Sequence, residues 1–477
     1  MERIEFALSG GVSPAQMAGL HESVVKVLGD TGLECQHQQT VDAVTAAPGA
    51  RFDGGRLKFS RELVEETITR ARAEGRKRRP DGRVRVTSPW NCFNIIDMHT
   101  DAVRASTAAD LVEMLKLVAS FNGQGCAPVY PCDVDEKIQI LWLEKACLEN
   151  TRGFGEDMIT HDFEAIKWIG EMYALAGKRY NVGMQMVISP LRLDHLALET
   201  YWRLQDDPLV TSSLSLCPIP VGGMTAPYFP SGLLAQGVAE SLGGLIVAQR
   251  LGRAGPDTWL SLRVDFGDMR DMTVGYSLPE NVMIQVLLRD VAEHFSGFRQ
   301  DVIYLNTNAK RADAFAAVDR VAYMLMLGLA GYREFCLGAG QLSMDEVFSP
   351  AQFIIDMEIG RYVQRVLDGF EWDSDSAKIA TVIAEGVAEG NFLAHDTTLD
   401  ALPGVFDSLL LRRSNVGRWR AEGERSINQE AVDRARAAIA AYEFHLDGPV
   451  QAELDRTFEK ACRALGVDAA TQPLPSR

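Results

Sequence analysis

VISPLRLDHLALETYWRLQDDPLVTSSLSLCPIPVGGMTAP (187–227) repeats one pattern, in which a short apolar segment runs into small or polar residues and an amphipathic segment follows. The stretch GAGQLSMDEVFSPAQFIIDMEI (338–359) has the same form. A strand, a loop and a helix in this order are the repeating unit of parallel α/β folds. Polar residues collect where the strands should end, which is the catalytic face of a (β/α)8 barrel.

The same alternation extends over most of the chain and predicts about eight strands. The candidate strands are Phe93–Asp97, Gly125–Tyr130, Gly153–Met158, Gly183–Ser189, Leu209–Cys217, Thr258–Phe266, Val302–Asn306 and Arg333–Leu337. Helical patterns lie between them at 107–120, 136–149, 163–176, 192–205, 231–251, 279–295 and 311–330. About eight such units over about 250 residues match a closed (β/α)8 barrel. An open doubly wound sheet is the alternative, although no G-x-G-x-x-G follows the first strand. The segment at Phe93–Thr107 also fits a hairpin under the barrel.

Two further units flank the predicted barrel. Residues 1–84 form a small α+β unit, with a helix from Ala15, a hairpin around Asp53-Gly54-Gly55 and a second helix capped by Ser60. The barrel with its active site spans 85–345. Residues 346–477 form a helical C-terminal extension, whose first helix starts at Ser349 with Pro350 in its first turn.

Composition excludes several classes of function. The chain of 477 residues carries a formal net charge of -17, which disfavours binding to nucleic acid or to an anionic membrane surface. No apolar run reaches the length of a membrane-spanning helix. Eight scattered cysteines are typical of reduced thiols in a cytoplasm. Neither HExxH nor CxxC occurs, so no tightly bound metal is expected. We expect a cytoplasmic homo-oligomer.

The predicted strand ends gather acidic, polar and aromatic side chains without a serine–histidine pair. Such a mixture suits a cation, because a quaternary ammonium is held by aromatic faces and nearby carboxylates. Glu156 and Asp265 are the acidic candidates, predicted to be catalytic. The aromatic candidates are Tyr130, Phe154, Tyr228, Phe266 and Tyr276. Each of these aromatics could instead pack the barrel.

Other strand-end residues leave alternatives open. Ser189 and Cys217 are further candidate substrate contacts. The glycines of VGGMTAP (221–227), Gly222 among them, fit either a backbone approach to a ligand, a phosphate site at the following helix, or a plain loop closure. Cys132, Cys217 and Cys336 fall near three strand ends, so a zinc thiolate site competes with ordinary buried cysteines.

Several passages in this order resemble the trimethylamine methyltransferase superfamily, specifically its members without pyrrolysine. They are HESVVKVLGDTGLE (21–34), SPLRLD (189–194), PVGGMTAP (220–227), GDMRD (267–271), TNAKRAD (307–313), FSPAQFIIDMEI (348–359), NFLAHDTTL (391–399) and RRSNVGRW (412–419). The resemblance implies a (β/α)8 barrel that moves a methyl group from a methylamine to the cobalt of a separate corrinoid protein. Members with pyrrolysine use it for trimethylamine in the segment matching 338–345, where this chain has none. Relatives without it act on quaternary amines such as glycine betaine, carnitine or proline betaine.

This resemblance predicts a glycine betaine-like substrate and a cognate corrinoid (cobalamin) protein as methyl acceptor. Glu156 or Asp265 would then hold the cation, while Gln341, Asn306 or the amides near Gly222 would bind a carboxylate. Because the leaving group is a neutral tertiary amine, the reaction needs positioning more than an acid. The alternatives are methyl transfer from a methoxy compound or methyltetrahydrofolate, and a non-catalytic barrel that binds an osmolyte.

Overall fold

A computed structural model describes residues 2–8, 10–78, 82–87, 91–121, 127–152, 162–252, 260 and 262–473. Its α-helices are α1 Pro14–Lys26, α2 Gln38–Thr45, α3 Arg61–Gly75, α4 Ala108–Ser120, α5 Gln139–Asn150, α6 Phe163–Leu175, α7 His195–Leu204, α8 Pro230–Arg250, α9 Pro279–Ser296, α10 Ala314–Ala330, α11 Pro350–Leu367, α12 Ser376–Glu389, α13 Asp396–Ala401, α14 Val416–Ala421, α15 Ile427–Ala441 and α16 Gly448–Ala464. Its strands are β1 Glu2–Ile4, β2 Leu33–Glu34, β3 Ala50–Asp53, β4 Arg56–Phe59, β5 Arg85–Val86, β6 Asn94–Ile96, β7 Val103–Ala105, β8 Tyr180–Gln185, β9 Val187–Ile188, β10 Arg192–Leu193, β11 Val210–Ser215, β12 Val221–Gly222, β13 Asp265–Asp268, β14 Thr273–Val274, β15 Val302–Tyr304, β16 Glu334–Cys336, β17 Gln341–Leu342, β18 Val347–Phe348 and β19 Phe370–Trp372.

The predicted α/β class is confirmed, and the helices from α4 to α10 lie close to their predicted bounds. The caps are those the sequence indicates, since Ser60 accepts from the Leu63 amide at 3.3 Å and Ser349 from the Gln352 amide at 3.2 Å. The hairpin at Gly54-Gly55 is also present, because β3 pairs antiparallel with β4 from Ala50 opposite Phe59 to Asp53 opposite Arg56.

Parallel pairing links strands that helices separate in sequence. β8 pairs with β11, β12 with β13, β15 with β16, and β16 with β5. Cys92 forms a parallel bridge with Val129. In the part of the chain that the structure describes, the strands form six separate small sheets, and these do not join into one closed sheet.

The first strand lies earlier than predicted. Phe93–Asp97 is not the strand beside the last parallel one; it contains β6, which forms the alternative hairpin with β7. The neighbour of β16 is β5, whose Arg85 amide donates to the Arg333 carbonyl at 2.7 Å. Arginines alternate with valines around β5, so the apolar pattern that predicted the other strands is weak here. Gly153–Met158 lies outside the described residues.

Two apolar cores organise the molecule. One joins the N-terminal elements to α8 and α9, where Gly243 of α8 lets Leu28 and Leu33 approach closely. The other gathers α4, α5, α6 and α10 with the C-terminal helices α11, α15 and α16. Helix α8 is long and apolar enough to cross a membrane by length and composition alone, but 83% of its most apolar stretch is buried inside the protein. It is therefore a core helix of the protein.

A histidine pair joins the N-terminal unit to α9 and predicts a pH-dependent stability. Arg72 donates from Nη2 to His294 Nε2 at 3.1 Å, and His21 contacts the same atom at 3.0 Å. Burial first, then the Arg72 charge, lowers the pKa of His294 from the ordinary 6.5 of a histidine to about 4. The unfolded chain takes up this proton first as the pH falls. We expect His294 to make its full contribution to the free energy of unfolding above pH 6.5. That contribution should be lost as the pH falls from about 6.5 to 4.

Replacing His294 by Gln should flatten that part of the profile, because a glutamine does not titrate. Urea unfolding followed by circular dichroism from pH 4 to 7 measures the slope. An unchanged slope in His294→Gln would mean that other groups cause it.

Candidate active site

The parallel strands present one apolar face and one polar face. Tyr180, Val182 and Met184 alternate along β8 into the apolar core, while Asn181 bonds Ser213 and Thr211 of β11 on the opposite side. The same alternation holds further along the chain. Leu262, Val264, Ile303, Leu305 and Phe335 pack in the cores, whereas the residues between them are Arg263, Asp265, Tyr304, Asn306 and Cys336.

Four side chains on the polar face form a continuous hydrogen-bonded cluster, which we call the polar cluster: Arg263, Asp265, Asn306 and Asp345. Arg263 is 3% exposed, and its Nε lies 2.8 Å from Asp265 Oδ2. Its Nη2 donates to Asn306 Oδ1 at 2.9 Å. Its third nitrogen, Nη1, is buried without a hydrogen-bond partner among the described residues. A buried guanidinium nitrogen without an acceptor is costly, so it indicates a place for an anionic ligand atom.

Asn306 connects this ion pair to Asp345. Its Nδ2 lies 2.7 and 2.6 Å from the two carboxylate oxygens of Asp345. Ser343, Met344 and Asp345 all have positive φ, at 53°, 57° and 70°. Three successive residues in this region are unfavourable for side chains other than glycine, by roughly 1 kcal/mol or more each. The loop is held in place because the Ser343 and Met344 amides donate to the Ala309 and Thr307 carbonyls at 2.7 and 2.9 Å.

Two tyrosines border the polar cluster. The guanidinium carbon of Arg263 lies 4.3 Å from the ring centre of Tyr304 and 5.5 Å from that of Tyr276. Burial raises the pKa of both phenols, so both stay protonated. The positive charge of Arg263 is matched by Asp265, which leaves the carboxylate of Asp345 as the surplus charge. Burial raises the pKa of Asp345, and the Asn306 amide acts in the opposite direction. The site therefore favours one additional cation when Asp345 is ionised.

Helix α9 and a hydrogen-bonded loop hold the polar cluster in this geometry. Gln285 donates to the Val264 carbonyl at 2.6 Å, and Asn281 accepts from the Phe266 amide at 2.6 Å, so α9 holds the end of β13. Ser277 and Thr307 both donate to Asp319 Oδ2 at 2.5 Å. This shared acceptor joins the loop that carries Tyr276 to the segment that carries Asn306.

Five of the sequence-predicted residues lie in or beside the polar cluster, and Tyr276, which borders it, is one of them. Asp265 and Asn306 are members of it. Cys217 is close enough to Tyr304 and Cys336 to influence both electrostatically. Gln341 is fully buried, and its Nε2 lies 3.3 Å from the sulfur of Cys92. The charge of Asp345 contributes to the raised pKa of that thiol.

The other predicted residues lie elsewhere. Phe266 packs in the N-terminal core, with its ring centre 5.2 Å from that of Tyr228. Gly222 lies against the Phe266 ring, where an added Cβ would come within 2.9 Å of Cδ1. Tyr130 stacks on Phe93 at 4.7 Å. Phe154 and Glu156 lie outside the described residues.

The loop at Gly222 closes on its own backbone. The Gly223 amide donates to the Ala226 carbonyl at 2.8 Å, and the Val221 carbonyl accepts from the Thr225 amide at 2.8 Å. This geometry agrees with a loop closure, one of the three alternatives that the sequence left open. Among the described residues, no three histidine, cysteine, aspartate or glutamate side chains are grouped as they would be around a metal, and Cys132 lies beside Ser106.

Ser189 is engaged by a buried carboxylate of α8. Its hydroxyl donates to Glu240 Oε2 at 2.6 Å, and Glu240 Oε1 accepts from the Leu191 amide and from Gln236 Nε2, both at 2.8 Å. Gln236 also donates to the Thr225 carbonyl at 2.7 Å. Glu240 therefore links the loops after β9 and β12, although burial raises its pKa.

Removing that link should destabilise the protein. Glu240→Ala leaves three donors without their acceptor and opens a cavity, so we expect a loss of about 3 kcal/mol. Glu240→Gln keeps one carbonyl oxygen and should lose less. Urea unfolding of the two variants beside the parent protein measures both losses. Equal stability of parent and Glu240→Ala would show that this carboxylate does not hold the loops.

Sequence reasoning missed three members of the site: Arg263, Tyr304 and Asp345. A signal for the first two was present, because each stands two residues before a predicted site residue, Asp265 or Asn306, and side chains two apart share a strand face. Asp345 lies nine residues after the end of β16, in a loop whose path depends on tertiary hydrogen bonds. Local periodicity does not reveal such a position.

Comparison with known proteins identifies the family. The family model for trimethylamine methyltransferase (MTTB) matches residues 5–465. The chain belongs to this family. It is therefore a methyltransferase of the EC 2.1.1 class.

The chain is similar over nearly its full length to the trimethylamine methyltransferase MttB of Desulfitobacterium hafniense (strain DSM 10664 / DCB-2). The two are 23% identical over 460 residues, which cover 92% of this chain and 91% of the relative. MttB of Methanosarcina thermophila is 25% identical over 234 residues, covering 49% of this chain and 47% of that protein. MttB2 of Methanosarcina mazei is 24% identical over 277 residues, covering 58% and 54%. These identities show the family and not the substrate.

Proposed function

We propose that this methyltransferase moves an N-methyl group from a small zwitterionic quaternary amine, similar to glycine betaine, to the Co(I) of a corrinoid protein. The observation that carries the proposal is the polar cluster, in which a surplus carboxylate, Asp345, and a guanidinium nitrogen without an acceptor, Arg263 Nη1, are joined through one amide, Asn306. A betaine carries the complementary pair of charges.

The proposal includes a (β/α)8 barrel around this cluster. The pairs β8–β11, β12–β13 and β15–β16–β5, with the Cys92–Val129 bridge, are all parallel and would be arcs of one closed sheet. Arg263, Asp265, Tyr304, Asn306 and Cys336 would then point into its interior, opposite the faces that pack in the apolar cores. In such barrels the active site lies at the carboxyl ends of the strands, and Asn306 and Asp345 follow the ends of β15 and β16 in this way.

Asp345 and the two tyrosines would hold the ammonium. A quaternary nitrogen has no hydrogen to donate, so it binds through charge and through aromatic faces rather than through a directed hydrogen bond. Asp345 supplies the charge without a cationic side chain directly paired to it, since among the described residues its carboxylate bonds the neutral Asn306 amide. Tyr276 and Tyr304 supply apolar surface beside it.

Arg263 would bind the substrate carboxylate. Its Nε and Nη2 are already used by Asp265 and Asn306, which hold the guanidinium plane in place. Burial alone would lower the pKa of Arg263, but the neighbouring Asp265 carboxylate raises it, so Nη1 remains a charged donor. A preorganised charged donor in a buried site gives strong discrimination between a carboxylate and a neutral group.

This arrangement suits nucleophilic transfer without an acid. The cobalt(I) electron pair forms the new bond to the methyl carbon while the C–N pair stays on nitrogen, which leaves as a neutral tertiary amine. No proton moves in that step. The residues of the chain would therefore contribute orientation and exclusion of water, as a polar cluster without a histidine does.

The corrinoid protein needs access to the open end of the site. Around β12 and β13, several exposed side chains are apolar: Met224, Tyr228 and Met269 are 45%, 50% and 42% exposed, and Met224 and Met269 pack near Gly267 and Gly223. This rim offers a flexible apolar surface for a partner protein. We also propose a cytoplasmic location, since the corrinoid must be reduced.

The test is an anaerobic reaction of the purified chain with cobalamin reduced to Co(I), followed by visible absorption. We expect methylation with glycine betaine, and none with trimethylamine or with methyltetrahydrofolate. Methylation only with a methoxy compound or methyltetrahydrofolate would contradict the proposal and identify that compound as the methyl donor. Thermal stabilisation by betaine without methylation, including with the cognate corrinoid protein, would indicate a binding protein instead.

A further inference from the structure

A C-terminal segment lies on the outside of the protein with little packing of its own. The segment, which we call the arm, spans residues 370–425 and contains β19, α12, α13 and α14. It is anchored at its start, where β19 pairs with β1. A second anchor follows α13, where the Ser408 hydroxyl donates to Glu358 at 2.5 Å and the Leu409 amide donates to the same oxygen at 2.9 Å. Every residue between these anchors is described.

Between Glu371 and Leu409 the only buried residue is Gly386, although the segment is rich in large apolar side chains. Gly386 is covered by the ring of Phe392, which belongs to the arm itself. Along α12, Ile379, Ile383 and Val387 are four residues apart and are 43%, 53% and 70% exposed. This spacing places them in one stripe on one face of the helix. Further exposed apolar side chains in the arm are Phe370, Trp372, Phe392, Leu393, Leu399, Leu402, Val405, Leu409, Leu411 and Val416.

So much apolar surface is unusual for a face in contact with water. Each of these side chains exposes on the order of 50–100 Å² of apolar surface to solvent. Together they approach the roughly 800 Å² of surface that each partner buries in a standard interface. The arm is thus large enough to form a specific interface by itself.

Charge identifies the partner as a second copy of the chain. Residues 371–407 hold eight carboxylates and one lysine, whereas residues 411–425 hold five arginines and two glutamates. The arm is therefore acidic in its first part and basic in its second. In a two-fold symmetric contact each patch meets the same patch in reverse order, so the acidic part of one arm faces the basic part of the other. A different partner would need to match both charges separately.

We propose that the arm is the contact between two copies of this chain, with the stripe Ile379, Ile383 and Val387 at its centre. On either side of this stripe, carboxylates of residues 371–407 in one copy lie near Arg418 and Arg420 of α14 in the other. These arginines are 74% and 68% exposed even though each also meets a glutamate of its own chain, and such exposed pairs hold their partners only weakly. The proposal is independent of the reaction that the site catalyses.

Sedimentation equilibrium of the full chain tests the proposal with one variant and one matched control. Ile383→Glu places a charge in the middle of the stripe, and we expect it to raise the dissociation constant at least about a hundredfold and to halve the sedimenting mass. Val318→Glu introduces the same charge at a 70% exposed position of α10 and should leave the mass unchanged. Circular dichroism confirms that both variants are folded.

Two results would overturn the proposal. One is a parent chain that sediments as a monomer up to high micromolar concentration, and the other is an Ile383→Glu variant that keeps the parent's mass. Binding of the cognate corrinoid protein that Ile383→Glu abolishes, with the parent chain monomeric, would assign the arm to that partner instead.

Discussion

Asp345→Asn should raise the KM for a quaternary amine by about 100-fold while changing kcat little. The carboxylate stabilises the cationic substrate and the transition state, which still carries much of the positive charge, by similar amounts, so its loss weakens binding without slowing the chemical step. Two unit charges about 4 Å apart at a partly buried site interact by about 4 kcal/mol before desolvation is subtracted, which leaves enough for this factor. Initial rates of Co(I) methylation against substrate concentration separate KM from kcat. Asn tolerates positive φ, so the strained loop should persist.

The same residue predicts the pH dependence of binding. Burial raises the pKa of Asp345 above the 3.8 of an ordinary aspartate, and only the ionised form attracts the cation. Substrate affinity should therefore be full above that raised pKa and decline as the pH falls through it. Asp345→Asn should remove the decline. Asp271→Asn, which neutralises an exposed carboxylate on the loop after β13, is the control for net charge and should keep the parent's KM and pH profile. A KM unchanged in Asp345→Asn would exclude it from the cation site.

Arg263→Lys should strongly weaken selection for a carboxylate. The parent should prefer glycine betaine over choline, which has an alcohol in that place, by at least about a thousandfold in kcat/KM, because a buried charged donor rejects a substrate that leaves it unpaired. A lysine can still pair with Asp265, but it lacks the fork that reaches Asn306 and a ligand together. We expect kcat/KM for betaine to fall about 100-fold and the preference over choline to fall by a similar factor.

The ratio of the two substrates makes this result robust to partial unfolding, because both are measured on the same protein. Arg333→Lys is a matched control, since within the described part of the chain the Arg333 side chain donates to the carbonyls of Gly328 and Tyr332 and not to the polar cluster. It should keep the parent's ratio. If Arg263→Lys kept the ratio as well, the carboxylate would bind elsewhere, and Gln341 would be the next residue to replace.

The sequence predicted the parts of this protein that depend on local pattern. Helices α4 to α10 have apolar spacing and caps that need no tertiary information, and the two glycines of the first hairpin specify their own turn. The strand at Arg85 was missed because its arginines interrupt the apolar alternation, and one of them pairs with Glu334 only after β5 and β16 meet. Apolar pattern alone therefore predicted a strand that starts eight residues too late.

The sequence predicted the kind of side chains in the candidate site better than it predicted the individual residues. Asp265 and Asn306 stand at strand ends, where the pattern places them. Phe266 was chosen for the same reason, but side chains alternate along a strand, so it packs in the core while Arg263 and Asp265 share the polar face. Asp345 joins the site through hydrogen bonds between loops distant in sequence, which no local pattern contains. Phe154 and Glu156 remain predictions.

The most direct measurement of the central claim follows the methyl group itself. Glycine betaine with deuterated N-methyl groups is incubated anaerobically with the chain and its Co(I) corrinoid protein, and the cobalamin is then examined by mass spectrometry. We predict methylcobalamin that carries the deuterium label, together with an equal amount of the demethylated tertiary amine, and little of either from Asp345→Asn at low substrate concentration. Unlabelled cobalamin with betaine unchanged would contradict the account.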